Sequence, residues 1–272
     1  MRGKLWLFAV LLFILKPEAV QAQFFNCEKE FVAAAWQNTG QVLTAPICYK
    51  PKNWAWAGIG MGATALAFAY DGEWQNKLTS KPSAFAANLA TYVGEPFGNP
   101  IYIGGFLALN YAVACRTHRE KWAQLSAEAL QSVVIASGIT LVLKAGFHRV
   151  RPEEQEELAP YQFKGPSFRT PNMSFPSGHT TVAFALASSV SAYYNNKWYV
   201  AVPAFTLAGV SGWSRIYQQK HWPSDVVLGA LIGTTVGYTL HNISRAKNRK
   251  LSFLVSPNFN GGASLCASFK LD

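Results

Sequence analysis

Six apolar runs divide most of the chain, at about 54–70, 99–115, 127–147, 178–195, 198–213 and 223–243. Each is rich in Ala, Gly, Val and Leu and is bounded by turn-forming or charged residues. "DGEWQNKLTSKPS" separates the first two, "CRTHREKWAQ" the next two, and "RPEEQEELAPYQFKGPSFRTPNMS" the third from the fourth. Apolar runs of this length read as helices rather than strands. Their small residues let helices approach closely, in lipid or in a tight soluble bundle. The tail is different. Leu265, Ala267, Phe269 and Leu271 alternate with polar neighbours, and Asn260-Gly261-Gly262 supplies a turn, the pattern of a β-hairpin. The pattern predicts an all-α protein, a six-helix bundle over 54–243, followed by a basic linker and a short C-terminal β-hairpin over 244–272. No internal repeat is evident.

Composition narrows this picture only in part. Half of the 272 residues are hydrophobic and 14% are charged, against roughly 25% charged in an average soluble protein. A mean hydropathy of +0.08 leaves a membrane protein and an apolar soluble bundle both open. The amino terminus, "MRGKLWLFAVLLFILKPEAVQAQ", has a positive start (Arg2, Lys4), an apolar core (Leu5 to Leu15) and a small-residue cleavage site at Val20-Gln21-Ala22. Residues 1–22 therefore read as a secretory signal peptide, its apolar run too short to span a bilayer. An N-terminal segment, 23–53, follows. Export would put Cys27, Cys48, Cys115 and Cys266 in an oxidising compartment, with Cys27–Cys48 the most natural disulfide. No CxxC spacing suggests zinc.

The formal charge is +10, and removing residues 1–22 takes away three basic groups and one acidic group, leaving +8. That balance suits an anionic substrate or an anionic membrane surface. Without a long basic run or a recognisable motif, nucleic acid is not an expected partner. Arg116, Arg119, Lys121 and the run Arg245, Lys247, Arg249, Lys250 fall at the bundle end opposite the third-to-fourth loop, which positive-inside counting makes cytoplasmic. The first helix would then start in the cytoplasm, whereas a cleaved signal peptide starts it outside. The expectation is an exported protein of the periplasm or cell envelope, membrane-associated or integral.

Helix counting brings three polar loops to one end of the bundle. In "KAGFHRVRP", Lys144 and Arg151 are two helical turns apart and Pro152 ends the pattern. In "FPSGHTT", Pro176-Ser177-Gly178 open a helix just before His179. Such a start presents backbone N–H groups that bind phosphate, with Gly178 allowing close approach. In "WSRIYQQKHWPSD", Arg215 precedes His221, and Pro223 marks a helix start with Asp225 in its first turn. From there the carboxylate can reach back to the His221 imidazole, a familiar way to prepare a nucleophile. Taken singly, these residues have plain structural uses: snorkelling cations, a helix-start histidine, a first-turn acid on the helix dipole. Two histidines, three cationic side chains and one helix start in a small space suit a multiply charged oxyanion.

The three stretches resemble the tripartite signature of the type 2 phosphatidic acid phosphatase and vanadium haloperoxidase superfamily. That signature is Lys-x6-Arg-Pro, Pro-Ser-Gly-His and Ser-Arg-x5-His-x3-Asp, and every fixed position is present. The resemblance spans about 54–243 and implies a six-helix core and metal-independent phosphomonoester hydrolysis without a cofactor. It implies that His221 is the nucleophile that becomes phosphorylated, that Asp225 orients it and that His179 is the general acid. Lys144, Arg151, Ser177, Gly178 and Arg215 would cradle the phosphoryl oxygens. No carboxylate cluster accompanies these motifs to hold a metal; "EEQEE" at 153–157 reads as a solvated acidic loop. His148 lies inside the first motif, as a pocket or a structural residue, and His118 and His241 lie at the far end. The expected substrate is a phosphate monoester or pyrophosphate, of a lipid for preference, since Trp213, Tyr217, Trp222 and Phe175 could line a chain groove. Rival readings are vanadate-dependent halide oxidation and a non-catalytic envelope protein that binds lipid headgroups.

Overall fold

The structure, a computed structural model, describes residues 35–155, 159–167, 173–247, 251–257 and 263–269. The expected signal peptide and residues 23–34 of the segment after it lie outside these residues. A helical stretch at 35–44 leads into nine α-helices between Pro51 and Lys247 among the described residues: α1 (Pro51–Ala69), α2 (Asp71–Thr79), α3 (Ala84–Leu89), α4 (Glu95–Gly98), α5 (Pro100–Arg116), α6 (Glu120–Phe147), α7 (Gly178–Tyr193), α8 (Trp198–Tyr217) and α9 (Pro223–Lys247). Two strands, β1 (Leu251–Pro257) and β2 (Ala263–Phe269), pair antiparallel from Leu251 opposite Phe269 to Pro257 opposite Ala263.

The six apolar runs correspond to α1, α5, α6, α7, α8 and α9. The count of six is corrected by α2, α3 and α4, which lie in and just after a stretch that reads as a polar separator. Their signals are local rather than hydrophobic. Asp71 and Glu73 occupy the first turn of α2 and Lys77 its last, each matching the helix dipole. Ser83 caps α3 by accepting from the Ala86 N–H, and a π turn at Ala90–Gly94 joins α3 to α4. Asn99 caps α5 by accepting from Ile101 and Tyr102, with Pro100 at the first helical position.

α7 lies at the centre, packed against α6, α8 and α9. The α7–α9 contact runs along glycines at every fourth position. A Cβ on Gly229 would lie 2.6 Å from the Ser177 carbonyl oxygen, on Gly233 2.3 Å from that of Thr181, and on Gly237 2.0 Å from Ser188 Oγ. Only a missing side chain permits that approach, which holds the start of α9 against the start of α7. Between α6 and α7 the core is partly polar, with Thr140 bonded to Thr181 and Ser189 to Ser132. The main apolar cluster joins Ile103 and Leu107 to Val133, Ala136, Val182, Val236 and Leu240.

Outside, large apolar side chains are exposed on several helices: Trp54, Ile59 and Met61 on α1, Ile101 and Leu109 on α5, Val134 and Val142 on α6, and Trp198 and Val202 on α8. Two helices, Glu120–Phe147 and Pro223–Ala246, are long and apolar enough to cross a membrane. The expected Cys27–Cys48 pairing is not made. Cys48 is a free, exposed thiol, whereas Cys115 is in a disulfide. Cys48 stands at the end of a 3-10 turn just before α1, a placement set by helix packing and not by spacing along the chain.

Candidate active site

The exits of α6 and α8 and the starts of α7 and α9 meet at one end of the bundle, as helix counting anticipated. At the α8 exit, Gln219 takes a left-handed conformation (φ 55), and the N–H groups of Lys220 and His221 both turn back to the Arg215 carbonyl. This tight turn delivers His221 immediately ahead of α9. Asp225, in the first turn of α9, accepts from the Trp222 N–H at 2.9 Å and lies 3.5 Å from His221 Nδ1 through the same Oδ2. The carboxylate therefore closes a capping interaction and holds the imidazole at once. Both side chains are buried.

Ser177 caps α7 and is buried. Its N–H donates to the Asp225 carbonyl oxygen at 2.9 Å, locking the two helix starts together. Its Oγ accepts from the Thr180 hydroxyl at 2.9 Å, so its own hydroxyl proton remains to be given elsewhere. Thr180 and Thr181 return their N–H groups to Ser177. The Gly178 and His179 N–H groups are the ones the helix start leaves for an anion. Lys144, in the last turn of α6, donates through Nζ to the Met173 and Ser174 carbonyls. Its Cε would lie 3.7 Å from a Cβ on Gly178. Arg215 donates to Ser214 Oγ and Gln218 Oε1. Arg151 lies 3.6 Å from Glu153, and its buried Nε has no protein partner.

The electrostatics fit an anion-binding pocket. Burial first, and then the Lys144 ammonium, push His221 down to about 4 against the pull of Asp225. Burial and then Arg215, His221, Lys144 and Arg151 push His179 down to about 3. Burial first, and then the collected positive charge, disfavour a proton here, and a doubly charged phosphoryl group would oppose the charge effect at His179. Among the described residues no group of three or more His, Cys, Asp or Glu side chains could hold a metal ion.

All eight residues singled out from the sequence lie on the segments that meet at this end. Of the remaining histidines, His241 separates from them and His148 stays at the α6 exit. His241 sits 3.0 Å from Glu128 toward the other end; His148 ends α6 in a left-handed conformation and is buried with Nδ1 unpartnered. Glu153 and Glu154 are exposed in a short 3-10 turn, with Glu153 paired to Arg151 and Lys220, while Glu156 and Glu157 lie outside the described residues.

Three residues escaped the sequence reading. Ser174 donates to Asp225 Oδ2 and lies 3.5 Å from His221 Nδ1. Arg149 donates to Asp225 Oδ1 at 2.7 Å and to Asp71 Oδ2 at 2.6 Å. Asp71 in turn accepts from the Ser224 N–H at 2.8 Å and from its hydroxyl at 2.6 Å. Burial raises the Asp71 pKa, and Arg149 opposes the rise. Arg149 and Ser174 each stand two residues from a motif position, a proximity that could have drawn attention to them. Asp71 carried no signal, lying in a stretch that reads as a linker.

The family model of the PAP2 superfamily matches residues 126–249. A lipid A 1-phosphatase of Porphyromonas gingivalis is 32% identical over 120 residues, 43% of this chain and 23% of that protein. A lipid A 4'-phosphatase of the same organism is 29% identical over 115 residues, 42% of this chain and 48% of that protein. The chain thus spans about a quarter to a half of the length of these two relatives. A decaprenylphosphoryl-5-phosphoribose phosphatase of Mycobacterium tuberculosis is 30% identical over 178 residues, 64% of this chain and 89% of that protein.

Proposed function

The chain belongs to the PAP2 superfamily, and from that premise we propose that it is a metal-independent phosphatase acting on phosphorylated lipids through a phosphohistidine intermediate. The observation that carries the reading is the pocket end of the bundle, where His221 is buried against Asp225 beside His179 and the cations of Lys144, Arg151 and Arg215.

In this reading the phosphoryl oxygens rest among those three cations, the Ser177 hydroxyl and the Gly178 and His179 N–H groups. Asp225 keeps the His221 Nδ1 protonated, leaving the Nε2 lone pair to attack phosphorus. As the P–N bond forms, the P–O bond to the alcohol breaks and His179 gives its proton to the departing oxygen. The phosphorylated imidazole carries positive charge, which Asp225 offsets. Water then attacks phosphorus while His179 takes its proton, the P–N bond breaks, and phosphate leaves a neutral His221. Phosphoryl transfer asks mainly for positioning and charge stabilisation, and here cationic side chains and helix N–H groups supply both.

Three features support a lipid substrate: the relatives' names, the exposed apolar helix faces and the two helices long enough to cross a bilayer. We place the protein at a membrane of the cell envelope. The test is turnover of long-chain lipid phosphates, polyprenyl phosphates and nitrophenyl phosphate by the purified chain in detergent. Activity should survive EDTA, fall with vanadate and favour the lipids. His179→Ala should lose about 10²–10⁴-fold on an alkyl ester, which needs the proton, and much less on the nitrophenyl ester. Loss in EDTA restored by magnesium would overturn metal independence, and equal turnover of soluble and lipid esters would overturn the substrate class.

A further inference from the structure

Arg149 differs from the other cations at this end of the bundle. Its guanidinium has five N–H donors, and the structure uses all of them. Nε and Nη2 donate to the Pro160 carbonyl at 2.9 and 2.7 Å. Nη1 donates to Ser224 Oγ and Asp225 Oδ1, each at 2.7 Å, and Nη2 to Asp71 Oδ2 at 2.6 Å. Phe68, Phe163, Phe175 and Trp222 enclose it, with ring centroids 5.0 to 5.9 Å from its central carbon. A fully buried guanidinium with no donor left cannot bind phosphate. Its contacts point the other way, to the carboxylate behind the proposed nucleophile.

That carboxylate is held on both oxygens. Oδ1 accepts from Arg149; Oδ2 accepts from Ser174 and the Trp222 N–H and faces His221. Asp71 fixes the other side of Arg149 and also takes both donors of Ser224, the residue beside Asp225. We infer that Asp71, Arg149 and Ser174 are positioning residues that lock the rotation of Asp225, so that one oxygen stays aimed at His221 Nδ1 throughout turnover. The inference rests on His221 as the nucleophile. Arg149 also divides its charge between two carboxylates, so Asp71 moderates how strongly it competes with His221 for Asp225. The other charged groups around His221 are Lys144 on α6, Arg151 after it and His179 on α7, and none of the changes below touches them.

The test is rapid-quench labelling of the full chain with radioactive nitrophenyl phosphate, with vanadate affinity and the pH dependence of label formation measured in parallel. Ser174→Ala and Arg149→Lys should slow labelling of His221 by about 10–100-fold, the scale known for residues that orient metal-bound histidines and carboxylates. KM and vanadate affinity should stay near native, because the phosphate cradle is intact. Asp71→Asn turns the whole Arg149 charge on Asp225, so the acid limb of labelling should move to lower pH. Asp71→Leu/Arg149→Met removes both buried charges together, which folded proteins tolerate better than an orphaned one. There the limb should move to higher pH, because Asp225 answers to His221 alone. Native labelling rates and unmoved limbs in these variants would overturn the inference while leaving the phosphohistidine reading intact. So would losses of vanadate affinity that parallel the loss of rate, which mark general damage. Absence of label on His221 in the native chain would instead remove the reading beneath it.

Discussion

His221 has two opposed influences on its proton. Burial and Lys144 disfavour the imidazolium, Asp225 favours it, and the outcome is a group that titrates near 4 rather than 6.5. The sign is simple. Above about pH 4 the folded protein keeps His221 neutral and able to attack, so with nitrophenyl phosphate, which needs little from His179, the acidic side of kcat/KM should stay level through pH 6.5, where an ordinary histidine would be half protonated. It should fall only as pH approaches 4, once ionisation of the ester is divided out. A fall centred near 6.5 would show that the nucleophile is not shielded in this way. The same shift makes stability pH-dependent. The unfolded chain takes up a proton below 6.5 that folded His221 refuses until near 4, so its contribution is whole above 6.5 and is lost as pH falls through that window.

At the scale of elements, the α7–α9 seam depends on atoms that are absent. At Gly233 a Cβ would lie 2.3 Å from the Thr181 carbonyl oxygen and 2.8 Å from the Ala185 nitrogen, backbone atoms that cannot turn aside. Gly105 on α5 is the contrast, with nothing within 4 Å of the place a methyl group would take. Gly233→Ala should therefore lose stability by about 1–3 kcal/mol, as overpacking does. Gly105→Ala should gain about 0.5–1 kcal/mol by lowering the flexibility of the unfolded chain. Thermal unfolding of the two variants in one detergent makes the comparison. Since the seam ends where the Ser177 N–H meets the Asp225 carbonyl, Gly233→Ala should also slow turnover.

Across the whole molecule, apolar surface is spread over the outer helices and not confined to one patch. Ile101 is 78% exposed, Trp198 76% and Val142 72%, on α5, α8 and α6 respectively. A bilayer would cover these side chains, and two of the helices are long and apolar enough to cross one. The protein should stay in the membrane pellet after alkaline carbonate and high salt, and enter solution only with detergent. Release by carbonate alone would mean that it rests on the membrane surface. The polar pocket end, where α6 and α8 finish and α7 and α9 begin, would then be the level at which a lipid phosphate meets the cations.

Local pattern along the chain is enough for the six long helices, and it puts the eight residues singled out for the pocket on segments that meet at one end of the bundle. An apolar run carries its helix, and Pro176-Ser177-Gly178-His179 or His221 to Asp225 carries its geometry within a turn or two. Packing in three dimensions set what local pattern does not encode. Asp71 meets Arg149 across 78 residues of chain, and nothing in either neighbourhood announces the other. The short helices α2 to α4 lack a long apolar run; Ser83 caps α3, and all three pack on α8, α2 also on α9. Cys48 is free and Cys115 bonded, because a disulfide answers to distance between side chains and not to spacing in sequence. The small residues of α9 were legible as small, but that Gly229, Gly233 and Gly237 face α7 follows only once the helices pack, when the close approach of two backbones leaves no room for a methyl group.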